Sequence, residues 1–117
     1  MRRAFLLAAL ACAHGPLPPD PRGRTRENAV EVCLPPGEKA FLEAWRCPDG
    51  VQPRQHRLGS IGSRNQPIDP NDPRLLLQMD PERPLEKGEP DFHIVDAVEM
   101  RCPGATYTLF IDMYHCH

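Results

Sequence analysis

The residues best suited to chemistry crowd the last stretch of the chain, where Tyr114-His115-Cys116-His117 sets two imidazoles around a sulfur. Imidazole and thiolate together suit zinc or copper. His93 and Asp96, at the start of the apolar run before Cys102, would add further ligands, so His93, Asp96, His115 and His117 make one candidate Zn or Cu set. Against it, Cys116 has a counterpart in Cys47, which follows Arg46, and a disulfide is the simpler use of a cysteine so placed. The favoured reading therefore carries no cofactor.

A second arrangement is a carboxylate pair, because Glu43 and Asp112 occupy equivalent places in two similar segments. Two close carboxylates split their pKa values and divide acid from base work. Each also lies three residues before Arg46 or His115, and ion pairing is the plainer role. Ser60 and Ser63, in Leu58-Gly59-Ser60-Ile61-Gly62-Ser63-Arg64, match neither the G-x-S-x-G elbow nor a phosphate loop. Asp69, Asn71, Asp72 and Asp80 lack the glycine and closing glutamate of a calcium loop. No catalytic residue is assigned, and a small hydrolytic protein using His93, Asp96, Asp112 and His115 is kept only as the alternative.

The elements that must position these groups are read from the cysteines. Cys33 to Cys47 and Cys102 to Cys116 are each fourteen positions apart, and CLPPGEKAFLEAWRC aligns without a gap on CPGATYTLFIDMYHC. Phe41 falls on Phe110, Leu42 on Ile111, Glu43 on Asp112, Trp45 on Tyr114; Ala29-Val30-Glu31 matches Ala97-Val98-Glu99 upstream. That pattern predicts an internal repeat, 28–47 and 96–116. In the second copy, FHIVDAVEM and Thr106 to Tyr114 are rich in β-branched and aromatic residues, which reads as strand, turn, strand, with Pro103-Gly104 at the turn. Composition alone would make EKAFLEAWR a helix. The repeat is allowed to overrule that, giving a second hairpin that turns at Pro35-Pro36-Gly37.

Hairpin geometry then limits the sulfur bonds. Cys33 and Cys47 of one hairpin would stand some seven residues apart along a strand, roughly 23 Å. A disulfide needs Cα atoms within about 7 Å, so the bonds should run between copies. Antiparallel copies pair Cys33 with Cys116 and Cys47 with Cys102, the favoured connectivity among the three that four cysteines allow. The aromatic pairs Phe41 with Trp45 and Phe110 with Tyr114 would share faces, as core or as a binding surface for a protein or surface partner.

The remaining sequence bounds the setting. Residues 1–13 read as a signal peptide, with Arg2 and Arg3 before an apolar stretch from Ala4 to Ala13 that is too short to span a bilayer. Cleavage before His14 is favoured, while Leu10-Ala11-Cys12 also reads as a lipoprotein box, with Cys12 lipidated as an anchor. Either way the chain is expected to be exported, as a periplasmic, secreted or surface-anchored protein. Removing the signal leaves 12 basic against 16 acidic residues, a net charge near −4, which gives no electrostatic reason to bind nucleic acid.

Residues 14–27 are expected to be a mobile Pro/Arg-rich leader, and 48–90, with eight prolines, a long irregular connection in which Arg74 to Met79 is an edge strand. The fold expected is therefore one small all-β, disulfide-stabilised domain over 28–117, built from two related β-hairpins. Its function is expected to be that of a non-enzymatic binding or structural module outside the cytoplasm, with metal binding as the alternative.

Overall fold

The computed structural model describes residues 20–117, so the signal peptide, Cys12 and residues 14–19 lie outside the described part. Four strands form one mixed sheet: β1 (Val30–Glu31), β2 (Arg54–Ser63), β3 (Ile94–Cys102) and β4 (Ala105–Asp112), ordered β1-β4-β3-β2. β3 and β4 are an antiparallel hairpin whose register runs from Val95 opposite Asp112 to Cys102 opposite Ala105. Pro103 fixes the first turn position, and Gly104, at φ 79°, takes the left-handed second position of a type II turn. β1 lies parallel to β4, with Val30 opposite Ile111.

The first half of the supposed repeat is not a hairpin. Leu34–Ala44 is a helix, α1, with Pro35 and Pro36 in its first turn, where a missing amide hydrogen costs nothing. Leu34, at φ 58°, swings the chain off the sheet and into that helix. Glu38, Leu42 and Trp45 follow the four-and-three spacing of one helical face and are buried, whereas Glu43 is exposed. Here Ala, Glu, Leu and Lys win over the resemblance to the β-branched Thr106–Tyr114 segment. The all-β expectation gives way to a mostly sheet fold with a helix packed on it.

Against α1 the sheet presents Val98 and Met100 from β3, Leu109 and Ile111 from β4, and Val30 from β1. These enclose Leu42, Trp45 and Cys47, and Trp45 meets Tyr107 edge-on at 5.7 Å. The segment expected to be irregular carries β2, which lies on the sheet edge antiparallel to β3. Arg54, Gln55, His56 and Arg57 are exposed along it, polar side chains that discourage further strand pairing. Arg74–Gln78, expected as an edge strand, is a short helix, α2. Buried Gln78 ties down the chain that follows: its amide nitrogen donates to Glu89 and to the Pro90 carbonyl, and its oxygen accepts from Phe92 N–H at 2.7 Å.

From residue 20 the leader is tied to the sheet. Gly23 is buried beside β4, where its carbonyl accepts from Phe110 N–H at 2.8 Å. A Cβ on Gly23 would come 2.7 Å from Val30 Cγ2. The disulfides join Cys33 to Cys116 and Cys47 to Cys102. An eleven-residue helix, rising about 1.5 Å per residue, now does what a hairpin was expected to do and keeps Cys33 far from Cys47. Among the described residues no helix is long and apolar enough to cross a membrane.

Candidate binding recess and its histidine–carboxylate cluster

Where β3 begins and β4 ends, the hairpin brings His93 beside Asp112, on the sheet face away from α1. Asp112 is fully buried. Its Oδ2 accepts from His93 Nδ1 at 2.8 Å, His115 Nε2 at 2.9 Å and the Arg64 guanidinium at 3.2 Å, while Oδ1 accepts from Tyr114 N–H. Burial by itself raises the Asp112 carboxyl, but the hydrogen bonds from His115, His93 and Tyr114 outweigh it and hold the group well below the usual carboxylate range.

Around this carboxylate the charges alternate. Burial pulls His115 down, yet its hydrogen bond to Asp112 and the charges of Asp112 and Glu31 leave it above its ordinary value. Glu31 Oε2 lies 2.6 Å from Arg64 and 3.1 Å from His115 Nε2. Asp91 accepts from the His93 backbone N–H, and burial pushes its carboxyl up. His93 Nδ1, Asp112 Oδ2 and His115 Nε2 lie within 4.8 Å of one another, the right atom types for a metal ion. Arg64 already places a cation on the same oxygen, and a metal would have to compete with it.

His93 also forms part of a wall. Its ring stacks on Tyr114 at 5.3 Å and meets His115 edge-on at 5.0 Å. Together with Phe92, Ile68, Leu75 and Met79, His93 and Tyr114 enclose an apolar recess of about 210 Å³ beside α2. His93 Nε2 is buried and has no hydrogen-bond partner among the described residues. Of the residues lining the recess, Ile68 and Met79 are 44% and 58% exposed, and Leu76 and Leu77 on α2 are 76% and 52% exposed.

No protein-family model, curated protein or solved structure matches the chain.

The remaining candidates are scattered. Asp96 faces the α1 side, where Arg57 and Ser60 each approach it at 3.0 Å, so it does not join His93 and His115. His117 is exposed, with its ring 5.3 Å from His115. Glu43 sits on exposed α1 near Lys39 and does not meet Asp112. Of the four aromatics, Trp45 is core, Phe41 lies half-buried under Arg22, Phe110 is half-buried on the other sheet face, and Tyr114 lines the recess. They share no common face.

Sequence reasoning passed over Arg64, Glu31, Asp91 and Glu38. Asp91-x-His93 and Asp112-x-x-His115 are short-range signals that point to the cluster, but Arg64 reaches Asp112 across 48 positions from a turn-rich stretch and leaves no local trace. Glu38, buried on α1, is pushed up to about 7 by burial and by the charge of Asp96, with Arg57 pulling the other way. Its Oε1 has no hydrogen-bond partner among the described residues.

Proposed function

We propose that the chain is an exported, non-enzymatic binding module that grips one apolar side chain of a partner polypeptide in the recess beside α2. The observation that carries this reading is an apolar hollow two of whose lining residues, Ile68 and Met79, are exposed, with exposed Leu76 and Leu77 next to its lining residue Leu75 in sequence, since clustered exposed apolar surface marks interaction sites. A hollow of about 210 Å³ is smaller than the roughly 300–1,000 Å³ of drug-sized ligand sites, and it suits a single anchoring side chain. Asp69 and Asp80 directly follow its lining residues Ile68 and Met79 in sequence and are exposed and in no ion pair among the described residues, so the partner segment carries basic residues beside its anchor.

Selection from a displayed-peptide library on the mature, oxidised protein should enrich peptides with an apolar anchor and Lys or Arg beside it. Met79→Glu, at an exposed position, should weaken those peptides at least tenfold. Enrichment of nothing, or of peptides indifferent to Met79→Glu, would reject the reading. Two disulfides fit an oxidising compartment, and the intact mass of the native protein should correspond to a start at His14 or to a lipid on Cys12. An unprocessed start at Met1 with free thiols would remove the export half of the proposal.

A second reading rests on the His93, Asp112 and His115 trio. In it Zn²⁺ or Cu²⁺ displaces Arg64 and takes the two imidazoles and the carboxylate. Zinc should then survive dialysis, be lost in His115→Ala and be held more tightly in Arg64→Gln; equal retention by all three proteins would end it.

A further inference from the structure

Resting on the recess reading, we infer that the partner polypeptide is a second copy of this chain: two α2 helices cross antiparallel about a two-fold axis, and Leu76 of each copy seats at the other's recess between Ile68 and Met79. The recess reading asks for an apolar side chain with a basic residue beside it, and α2 itself, Arg74-Leu75-Leu76-Leu77-Gln78, is such a segment. Leu76 is the most exposed large apolar side chain among the described residues. Of the seven large apolar side chains left exposed there, four, Ile68, Leu76, Leu77 and Met79, belong to α2 or to the recess lining.

Anchor and socket stand side by side on one element. The helical turn runs on past Gln78, since Met79 keeps helical dihedrals and Asp80 N–H donates to the Leu77 carbonyl at 3.2 Å. Residues three and four apart are then surface neighbours, which sets Leu76 beside Met79 of the recess lining and beside Asp80. A patch that carries both anchor and socket is self-complementary, so one two-fold axis satisfies both copies at once and the assembly closes as a dimer. Charge sets the direction of crossing. In an antiparallel pair centred on Leu77, Arg74 of one copy comes beside Asp80 of the other, whereas a parallel pair sets arginine against arginine. Asp80 is exposed and in no ion pair among the described residues. Arg74 holds Asp72 through Nε and Nη2, which leaves Nη1 for the second copy.

The other exposed apolar side chains make poorer anchors. Leu34 and Val51 have no basic residue next to them in sequence. Leu58 follows Arg57, but that guanidinium already holds Asp96 through Nη2 at 3.0 Å. Leu58 also lies on β2, so its docking into another copy's recess would join two different surfaces and build open-ended chains rather than a closed pair. Two leucines, an isoleucine and a methionine from each copy fall short of the roughly 20–30 residues a side that a stable complex uses, so the dimer is weak and forms at high protein concentration.

Sedimentation of the mature oxidised protein from about 10 μM to about 1 mM should show a monomer–dimer equilibrium. Leu76→Asp, at an exposed position, should weaken that equilibrium about tenfold or more, and Leu58→Asp should leave it unchanged. Arg74→Asp and Asp80→Arg should each weaken self-association several-fold. An equimolar mixture of those two variants should regain it, because each then meets the opposite charge across the axis. A monomer at every concentration, a dimer indifferent to Leu76→Asp or lost in Leu58→Asp, or a mixture no tighter than the single variants overturns the inference. If the chain stays monomeric yet takes library peptides in a way that needs Met79, the recess reading stands without it; a monomer that takes no peptide ends both.

Discussion

Glu38 is an acid that keeps its proton near neutrality because it is buried on α1 beside the charge of Asp96. Its folded pKa, about 7, lies above its unfolded value, so the protonated carboxyl contributes stability that is complete below the ordinary carboxylate range and is lost as pH rises through about 7. Glu38→Gln should remove that dependence. Denaturant unfolding at pH 5.5 and 8.5 should show the native chain losing on the order of 2 kcal/mol more than the variant, which keeps the loss that His115 contributes over the same range; equal losses would mean that Glu38 is not the group responsible. Arg64 presents the opposite case, a cation in contact with Asp112 and Glu31 and near Asp91. Arg64→Gln strands those carboxylates and should cost about 3 kcal/mol, whereas Glu43→Gln, at an exposed position, should cost almost nothing.

At the scale of elements, α1 decides between two readings of the same residues. In a strand, Glu43 would share a face with Phe41 and Trp45; in the helix, Leu42 is buried and Ala40 is exposed. Leu42→Ala should therefore cost about 3 kcal/mol and Ala40→Gly about 1 kcal/mol, both read from equilibrium unfolding. A negligible effect of Ala40→Gly would speak against helix there. The β3–β4 hairpin was legible because β-branched runs flank Pro103-Gly104. α1 was legible too, from its own composition, and was hidden only by aligning it with a strand that shares its aromatic spacing. β2 left little signal, since an exposed edge strand reading Arg-Gln-His-Arg needs no apolar alternation. Leu75-Leu76-Leu77 gave an apolar run too short to tell strand from helix, and Arg64 was illegible because its partners are assembled only by the tertiary fold.

For the whole molecule the disulfides set the stability of a modest core. The Cys47–Cys102 bond closes a separation of 55 residues, for which chain entropy gives about 4 kcal/mol. Replacing both cysteines by alanine should lower unfolding free energy by roughly that amount, as followed by denaturant titration of the oxidised proteins. An unchanged midpoint would show that the core holds without that link. The Cys33–Cys116 bond has a mechanical corollary. It joins the end of the strand beside β4 to the tail of the chain, 83 positions on. Tension applied between residue 20 and His117 passes through this bridge and bypasses almost everything between. A tether pulled this way lengthens by only its short ends, and chemical reduction under load should release roughly 280 Å more of chain.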